Sequence, residues 1–264
     1  GIAPLFPLYM MQITFLGTGT SGGVPVLTCQ CPVCQSLDFR DKRLRTSLLI
    51  RYQGHQIVID TGPDFRQQAL SARLNRLDAV VFTHEHKDHT AGLDDVRPFN
   101  YFFGNQNMPI YARKQVIEQL KREYAYAFAD EKYPGIPLLE PIEITATPFE
   151  IGPISMIPIE VMHHKLPVYG FRIQDFTYIT DANFISQESL DKIKGTKILV
   201  LNALQIQPHI SHFTLQEAID IAQKIGAEQT YFTHISHKLG SHADIQKILP
   251  DSVFLAYDGL SLTV

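Results

Sequence analysis

Short apolar runs, each followed by polar side chains, recur along the whole chain. In the first half they predict strands at residues 12–16, 45–52, 56–60, 78–82 and 108–111. Runs of about four to eight residues are typical of strands, whereas helices need longer periodic stretches. Such stretches predict helices at 65–74 and 114–128, and the apolar segments 91–96 and 98–103 are predicted to be irregular.

The second half repeats the pattern with more strands. Strands are predicted at 142–147, 154–161, 169–173, 176–179, 197–201 and 229–232, and helices at 187–193 and 215–225, before a final helix and strand. Thr214 precedes the helix at 215–225 and Glu217 stands at the third helical position, which together predict a capping box.

These elements predict an α/β (α+β) fold. Each half is rich in strands first and in helices later, and polar clusters occur only at strand ends. Strands packed as two mixed sheets, with antiparallel pairs among them and helices on the outer faces, would form a four-layer αββα sandwich. The 264 residues fit one such domain, 1–264, whose polar loops would gather along one edge.

The densest polar cluster follows the apolar run 78–82. Five ligand-type side chains fall within six positions: His84, Glu85, His86, Asp88 and His89. Imidazoles and carboxylates at this density are expensive to hold together without a cation between them. We therefore predict a metal site, formed by an irregular loop that turns His84, His86, Asp88 and His89 inward and leaves Glu85 out. The alternative is a solvated polar loop without a metal.

Composition and charge restrict the partners of such a site. Apolar residues make up 45% of the chain, the formal charge is −4, and no run of Lys or Arg occurs. Tight, sequence-independent nucleic-acid binding needs clustered cations, so a small anionic substrate held by metal fits better. No apolar run approaches the roughly 18 residues of a membrane span.

Residues 1–10 have no assigned role. The segment is apolar but lacks a basic region and a cleavage pattern, so it is either a leader of another kind or a segment added for expression. Met11 is an alternative start.

The three cysteines form a second candidate metal site. Cys29, Cys31 and Cys34 follow a C-x-C-x-x-C pattern, which can wrap one tetrahedral zinc if a fourth ligand comes from elsewhere. Their odd number and tight spacing argue against disulfides and favour thiolate–metal chemistry in a reducing cytoplasm. The alternative is that they are small buried apolar side chains.

The remaining ligands are sought among the 11 histidines and the strand ends. Two sets emerge, and Asp181 at another strand end can bridge them: His84, His86 and His163 for one ion, and Asp88, His89 and His234 for the other. Two such ions would lie about 3.5–4 Å apart. His237 is the natural fourth ligand for the cysteines.

The order and spacing of these residues resemble the metallo-β-lactamase superfamily. The segment from His84 to His89 matches its H-x-H-x-D-H motif. The resemblance is strongest to phosphodiesterases of the PhnP type, and further segments carry it: the glycine-rich loop 16–25 before the cysteines, 60–64, 233–237 and 256–259. It implies two catalytic divalent ions, zinc or manganese, and a structural zinc at the cysteines and His237.

Two assignments keep alternatives. By alignment to the preceding strand His163 is the ligand, but the adjacent His164 is also open. The segment Ser211–Thr214 resembles one in the RNA-processing members of the superfamily, where the histidine protonates the leaving group. This makes His212 the expected general acid, with His209 as the alternative.

The expected activity is hydrolysis of a small cyclic ribose or nucleotide phosphodiester by a hydroxide that bridges two metal ions. Asp88 would orient the hydroxide while ligating one ion. The alternatives are RNA 3′-end processing and hydrolysis of a thioester or lactone on the same metals. The aromatic stretch 99–103 would cover either a pocket or a partner chain, which leaves a homodimer open.

Overall fold

The computed structural model describes residues 10–131 and 133–264, so most of the 1–10 segment lies outside the described residues. Its strands form two seven-stranded sheets. The first sheet contains, in chain order, β1 (Gln12–Gly17), β2 (Ser47–Tyr52), β3 (His55–Ile59), β4 (Ala79–Val81), β5 (Met108–Ala112), β6 (Leu139–Glu143) and β14 (Ser261–Thr263). The second contains β7 (Phe149–Ile151), β8 (Ile154–His163), β9 (Leu166–Ile173), β10 (Phe176–Tyr178), β11 (Ile198–Asn202), β12 (Gln229–Thr233) and β13 (Val253–Leu255).

The helices are short. They are α1 (Pro32–Gln35), α2 (Phe65–Ser71), α3 (Lys87–Thr90), α4 (Arg97–Phe102), α5 (Lys114–Glu123), α6 (Ala125–Phe128), α7 (Gln187–Ile193), α8 (Leu215–Ile225) and α9 (His242–Gln246). Thr214 and Glu217 form the predicted capping box at α8. No helix in the described part of the chain is both long and apolar enough to cross a membrane.

Three apolar clusters show how the layers pack. One lies between the sheets and includes Leu48 and Phe171. The other two lie between each sheet and its outer helices; Leu49 belongs to one of them and Leu201 to the other. Since neighbours Leu48 and Leu49 are both buried on opposite faces, β2 reads as a continuous apolar run. The predicted four-layer sandwich is confirmed.

Both sheets are mixed, as expected. Strands β3 to β6 are parallel, and so are β10 to β13, while the other neighbouring pairs are antiparallel. Helices α2, α5, α7, α8 and α9 connect these parallel strands, as crossover connections require. The carboxyl ends of parallel strands meet at one edge of a sheet, and this is where the polar loops gather.

Some element boundaries were predicted wrongly. Most of the segment 98–103, expected to be irregular, belongs to α4 (Arg97–Phe102), whose Pro98 lies in the first turn. The expected helix 114–128 breaks at Tyr124, whose hydroxyl donates to the Thr90 carbonyl oxygen over 2.8 Å. The strand expected at 142–147 lies at Leu139–Glu143 instead.

Candidate metal centre

The H-x-H-x-D-H segment begins after β4 and contains a turn of helix. His86 occupies the N-cap position of α3, so Asp88 and His89 lie on a helical turn and not in the fully irregular loop that was expected. Gly62 allows this turn to pack closely, because a Cβ atom there would lie 2.1 Å from the Asp88 carbonyl oxygen.

Strand ends from both sheets complete two ligand sets. His84, His86, His163 and Asp181 form one set, and Asp88, His89, Asp181 and His234 form the other. Within each set the ligand atoms lie within 4.8 Å of one another. Asp181 belongs to both: its Oδ2 lies 3.4 Å from His84 Nε2 and 3.2 Å from His89 Nε2, and its Oδ1 lies 3.1 Å from His234 Nε2.

Three strand-end residues reach the site through strained backbone. Asp60, Asp181 and His234 have φ values of 65°, 60° and 55°. A left-handed conformation in a residue other than glycine costs on the order of 1–3 kcal/mol and persists only where the surroundings impose it. Here it marks the strand ends that carry the polar cluster.

Hydrogen bonds fix which nitrogen of each histidine faces the centre. His89 Nδ1 donates to Asp60 over 2.7 Å, and His163 Nδ1 donates to the Ser211 carbonyl oxygen over 2.9 Å. The Thr83 hydroxyl donates to Asp60, so it accepts from His84 Nδ1 over 2.9 Å. Each ring therefore turns its Nε2 inward, and this is the nitrogen that would bind a metal.

Asp60 is the functional residue that the sequence reasoning missed. It is fully buried and also accepts from the Thr83 backbone N–H over 2.9 Å. The segment 60–64 entered the sequence analysis only as part of the family resemblance, and no role was assigned to Asp60. A carboxylate directly after a buried strand, in a chain already predicted to bind metal, was the available signal.

Burial and charge set the protonation of the site. Burial, together with His89, lowers the pKa of His84 to about 3, and burial lowers the pKa of His163 as well. Neutral imidazole is the form that binds metal. Burial works against charge at His89 too, but the carboxylates of Asp181, Asp88 and Asp60 raise its pKa well above the ordinary value. The second set thus carries excess negative charge that a cation would balance.

The described residues fit a metal pair. His234 Nδ1 is buried without a hydrogen-bond partner in the described part of the chain, which is costly for a polar group, and Nε2 lies 3.1 Å from Asp181 without hydrogen-bond geometry. His84 Nε2 and His86 Nδ1 face each other at 3.1 Å, an arrangement that a cation or a shared proton must stabilise. Mixed imidazole and carboxylate donors suit zinc, manganese or iron.

The cysteine cluster assembles around His237. The Sγ atoms of Cys29, Cys31 and Cys34 lie 3.3, 3.4 and 3.5 Å from His237 Nδ1. Ordinary zinc–ligand lengths give tetrahedral edges of roughly 3.6 Å, so the four atoms fit one zinc ion. A hydrogen bond from the Cys34 backbone N–H lowers the pKa of Cys31 to about 6, which favours the thiolate.

The structure places the two members of each histidine pair, His163 and His164, and His209 and His212, in different surroundings. His164 lies in the turn after β8, exposed, and its backbone N–H donates to Asn183, while His163 lies in the ligand set. His212 is buried with Nε2 3.7 Å from Asp181 Oδ2, and its ring stacks on His234 at 4.9 Å. His209 is exposed and contacts His212 from the Nδ1 side, at 3.3 Å.

Known proteins resemble this chain in sequence and in fold. Residues 55–235 match the family model described as the beta-lactamase superfamily domain. The crystal structure of a new diphosphatase from the PhnP family is 40% identical, covers 97% of both chains and superposes with a TM-score of 0.91. The metallo-β-lactamase fold protein YhfI from Bacillus subtilis shares the fold at 20% identity, with a TM-score of 0.74 over 97% of this chain and all of that one.

One curated relative carries a different description. The octanoyltransferase of Porphyromonas gingivalis (strain ATCC BAA-308 / W83) is 39% identical over 257 residues, which is 96% of this chain. The chain spans about half (52%) of that relative's length. The family predicted from the sequence is confirmed. The chain belongs to the β-lactamase superfamily, among its metallo-β-lactamase-fold hydrolases, and resembles the PhnP family over nearly all of its length.

Proposed function

We propose that this hydrolase cleaves a small phosphodiester, in particular a cyclic ribose or nucleotide phosphate. One observation carries the proposal: Asp181 is shared by two ligand sets, and the unpartnered Nε2 of His212 lies 3.7 Å from its carboxylate. A paired cation site with a proton donor beside it suits a reaction that needs both charge neutralisation and protonation of a leaving group.

The two ligand sets would each hold one divalent ion, zinc or manganese, with Asp181 common to both. When bound, such a pair lowers the pKa of a water molecule to about 7 and neutralises charge on the phosphate oxygens. A third ion, zinc, would occupy the cluster of the three cysteines and His237 and have a structural role.

Asp88 is suited to orient the attacking water. Burial opposes its charge, but His89 and His234 hold its pKa well below the usual range, so it stays ionised. Its Oδ2 faces those two histidines at 3.2 and 3.5 Å. The other carboxylate oxygen can then accept a hydrogen bond from water.

His212 is suited to assist the leaving group. Burial lowers its pKa to about 4, so the free ring is neutral near pH 7 and carries one proton. The Ser211 hydroxyl, 3.1 Å from Nδ1, can donate to that nitrogen and leave the proton on Nε2. A bound phosphate anion would raise the pKa again. A sugar alkoxide leaves poorly without a proton, so this group would contribute roughly 10²–10⁴-fold.

The comparisons support phosphorus chemistry without fixing the substrate. The similar crystal structure is that of a diphosphatase, whose name implies cleavage at a phosphoryl group. RNA processing fits less well, since the chain has a net charge of −4 and lacks Lys/Arg runs. The octanoyltransferase name belongs to a protein about twice as long. Thioester or lactone hydrolysis remains the alternative on the same metals.

Direct assay tests the proposal. The protein is loaded with Zn²⁺ or Mn²⁺ and incubated with a 2′,3′-cyclic nucleotide, 5-phosphoribosyl 1,2-cyclic phosphate and a γ-lactone, with Asp181→Ala as the inactive control. We expect turnover of at least one cyclic phosphodiester at a kcat/KM at least about tenfold above that for the lactone. Lactone turnover without phosphodiester turnover would reject the proposal.

A further inference from the structure

A cavity of about 470 Å³ lies between α2 and α4, away from the metal ligands. Its apolar wall consists of Phe65, Leu70, Leu74, Phe99, Phe102 and Phe103. Phe102 is 85% exposed and Leu70 58% exposed, so much of this wall faces solvent. The volume lies within the range of small-molecule sites in proteins. Phe99, Phe102 and Phe103 of the aromatic stretch 99–103 thus line a pocket.

Two arginines at this cavity differ from all others in the described chain. Arg66 and Arg73 line it, both are exposed, and neither side chain has an ion pair or hydrogen bond with any described residue. Every other arginine side chain contacts a carboxylate, an amide or a carbonyl oxygen: Arg40, Arg43, Arg45, Arg51, Arg76, Arg97, Arg113, Arg122 and Arg172. The two guanidinium groups therefore have unused donors beside an apolar surface.

The polar part of the wall defines the charge of a ligand. It contains Asn75 and one carboxylate, Asp95, so two arginines stand against one aspartate. The excess positive charge favours an anion. The phenyl and aliphatic groups favour an apolar body, and a nucleobase would find few partners here for its polar edges.

We propose that this cavity binds an amphipathic monoanion, a medium-chain fatty carboxylate. Its chain would lie among Leu74, Phe99 and Phe103, and its carboxylate would accept paired hydrogen bonds from Arg66 and Arg73. Guanidinium and carboxylate groups match in this bidentate geometry. The site is distinct from the metal centre and does not depend on its chemistry.

A second copy of the chain fits this surface less well. A two-fold interface places the same patch of both subunits together. Arg66 and Arg73 would then approach their own counterparts without the acids needed to neutralise them, since Asp95 is the single carboxylate among the described residues that line the cavity. Like charges brought together in this way oppose association.

Calorimetric titration with two ligands of equal length tests the proposal. Nonanoate, below its micelle concentration, should bind with one site per chain, and nonan-1-ol should bind at least about tenfold more weakly because it lacks the charge. Equal affinity for the acid and the alcohol, or no binding of nonanoate by the unmodified protein, would overturn the proposal.

Variants locate the site. The double change Arg66→Gln and Arg73→Gln should weaken nonanoate binding at least about tenfold and leave nonan-1-ol unaffected, while Arg122→Gln, on the exposed face of α5, should change neither. Ala69 also lines the cavity, so Ala69→Trp should fill it and abolish binding of both ligands. The change of both arginines to lysine keeps the charge without the paired geometry and should give an intermediate affinity.

Unfolding curves establish that each variant folds. Unchanged nonanoate binding in the double glutamine variant would refute the assignment. So would sedimentation showing a dimer that Phe102→Glu dissociates, because the surface would then belong to a second copy. The measurement involves neither metal nor phosphodiester, so its outcome is separate from that of the proposed catalytic function.

Discussion

Asp60 Oδ2 lies 2.7 Å from His89 Nδ1, and both side chains are fully buried. The contact joins the end of β3 to the helical turn that follows β4. It directs His89 Nε2 at Asp181, 3.2 Å away, so a residue outside both candidate ligand sets fixes the orientation of a residue inside one of them.

Asp60→Asn should therefore weaken metal binding in the second ligand set. The amide keeps the size of the side chain but removes the charge that fixes the His89 tautomer, and losses of about 10- to 100-fold in metal affinity are typical of such changes. Competition titration with a chromogenic chelator measures the affinity. Asp64→Asn, in the same turn, is the matched control; equal effects of the two changes would contradict the assigned role.

Asp181→Ala should remove the catalytic pair and spare the fold. The unmodified protein should bind about three metal equivalents per chain, and this variant should keep the equivalent at the cysteine cluster. Activity should fall about 100-fold or more, since one ligand common to both sets is lost. Elemental analysis and circular dichroism measure both properties. A fully active preparation with one bound ion would refute the scheme of two catalytic ions.

Cys31→Ser should remove the structural metal and leave the catalytic ligand sets unchanged. One metal equivalent should be lost and folding impaired, because structural zinc contributes its binding free energy to stability. For a chain of this length each kcal/mol lowers the melting temperature by about 2–4 °C. Melting curves with and without added Zn²⁺ measure the loss. If added Zn²⁺ raises the melting temperature of the variant as much as that of the unmodified protein, a zinc site at these cysteines is ruled out.

The loss of activity caused by His212→Ala should depend on the leaving group of the substrate. With a cyclic ribose phosphodiester, whose alkoxide needs a proton, kcat should fall by about 10²–10⁴-fold. With a p-nitrophenyl phosphodiester, whose phenolate leaves without one, kcat should fall much less. His209→Ala, the neighbouring imidazole, is the control and should change both rates little. Equal, minor losses on both substrates would eliminate His212 as the acid.

Asp258 should make stability depend on pH. Burial raises its pKa to about 6, although the Leu44 backbone N–H and Thr18 donate to it. The folded state therefore holds its proton more tightly than the unfolded state. This stabilisation is complete below about pH 4, is lost as the pH rises through 6, and amounts to roughly 3 kcal/mol.

Asp258→Asn should remove this dependence, because an amide stays neutral at every pH. Relative to the variant, the unmodified protein should lose free energy of unfolding between pH 4 and pH 7, as measured by urea unfolding at fixed metal concentration. The raised pKa would be contradicted if the difference in free energy of unfolding between the two proteins stayed constant from pH 4 to pH 7. It would also be contradicted if the unmodified protein became more stable relative to the variant as the pH rises.

The sequence by itself determined which side chains are available for chemistry and where they lie along the chain. Ligand-type residues follow apolar runs at His84 and His234, and three thiols lie within six positions. Both patterns are local, and the cost of leaving such groups unpaired argues for metal without reference to a fold. The sandwich followed from the lengths and order of the apolar runs.

Only the tertiary structure decided which of these residues meet. Asp181 and His89 are 92 positions apart, and Cys29 and His237 are 208 apart. Asp60, the Ser211 carbonyl oxygen and the choice of His163 over His164 depend on such long-range packing and on left-handed backbone at strand ends. Local propensity does not encode these contacts, because the energy that holds a strained residue in place comes from the whole packed core.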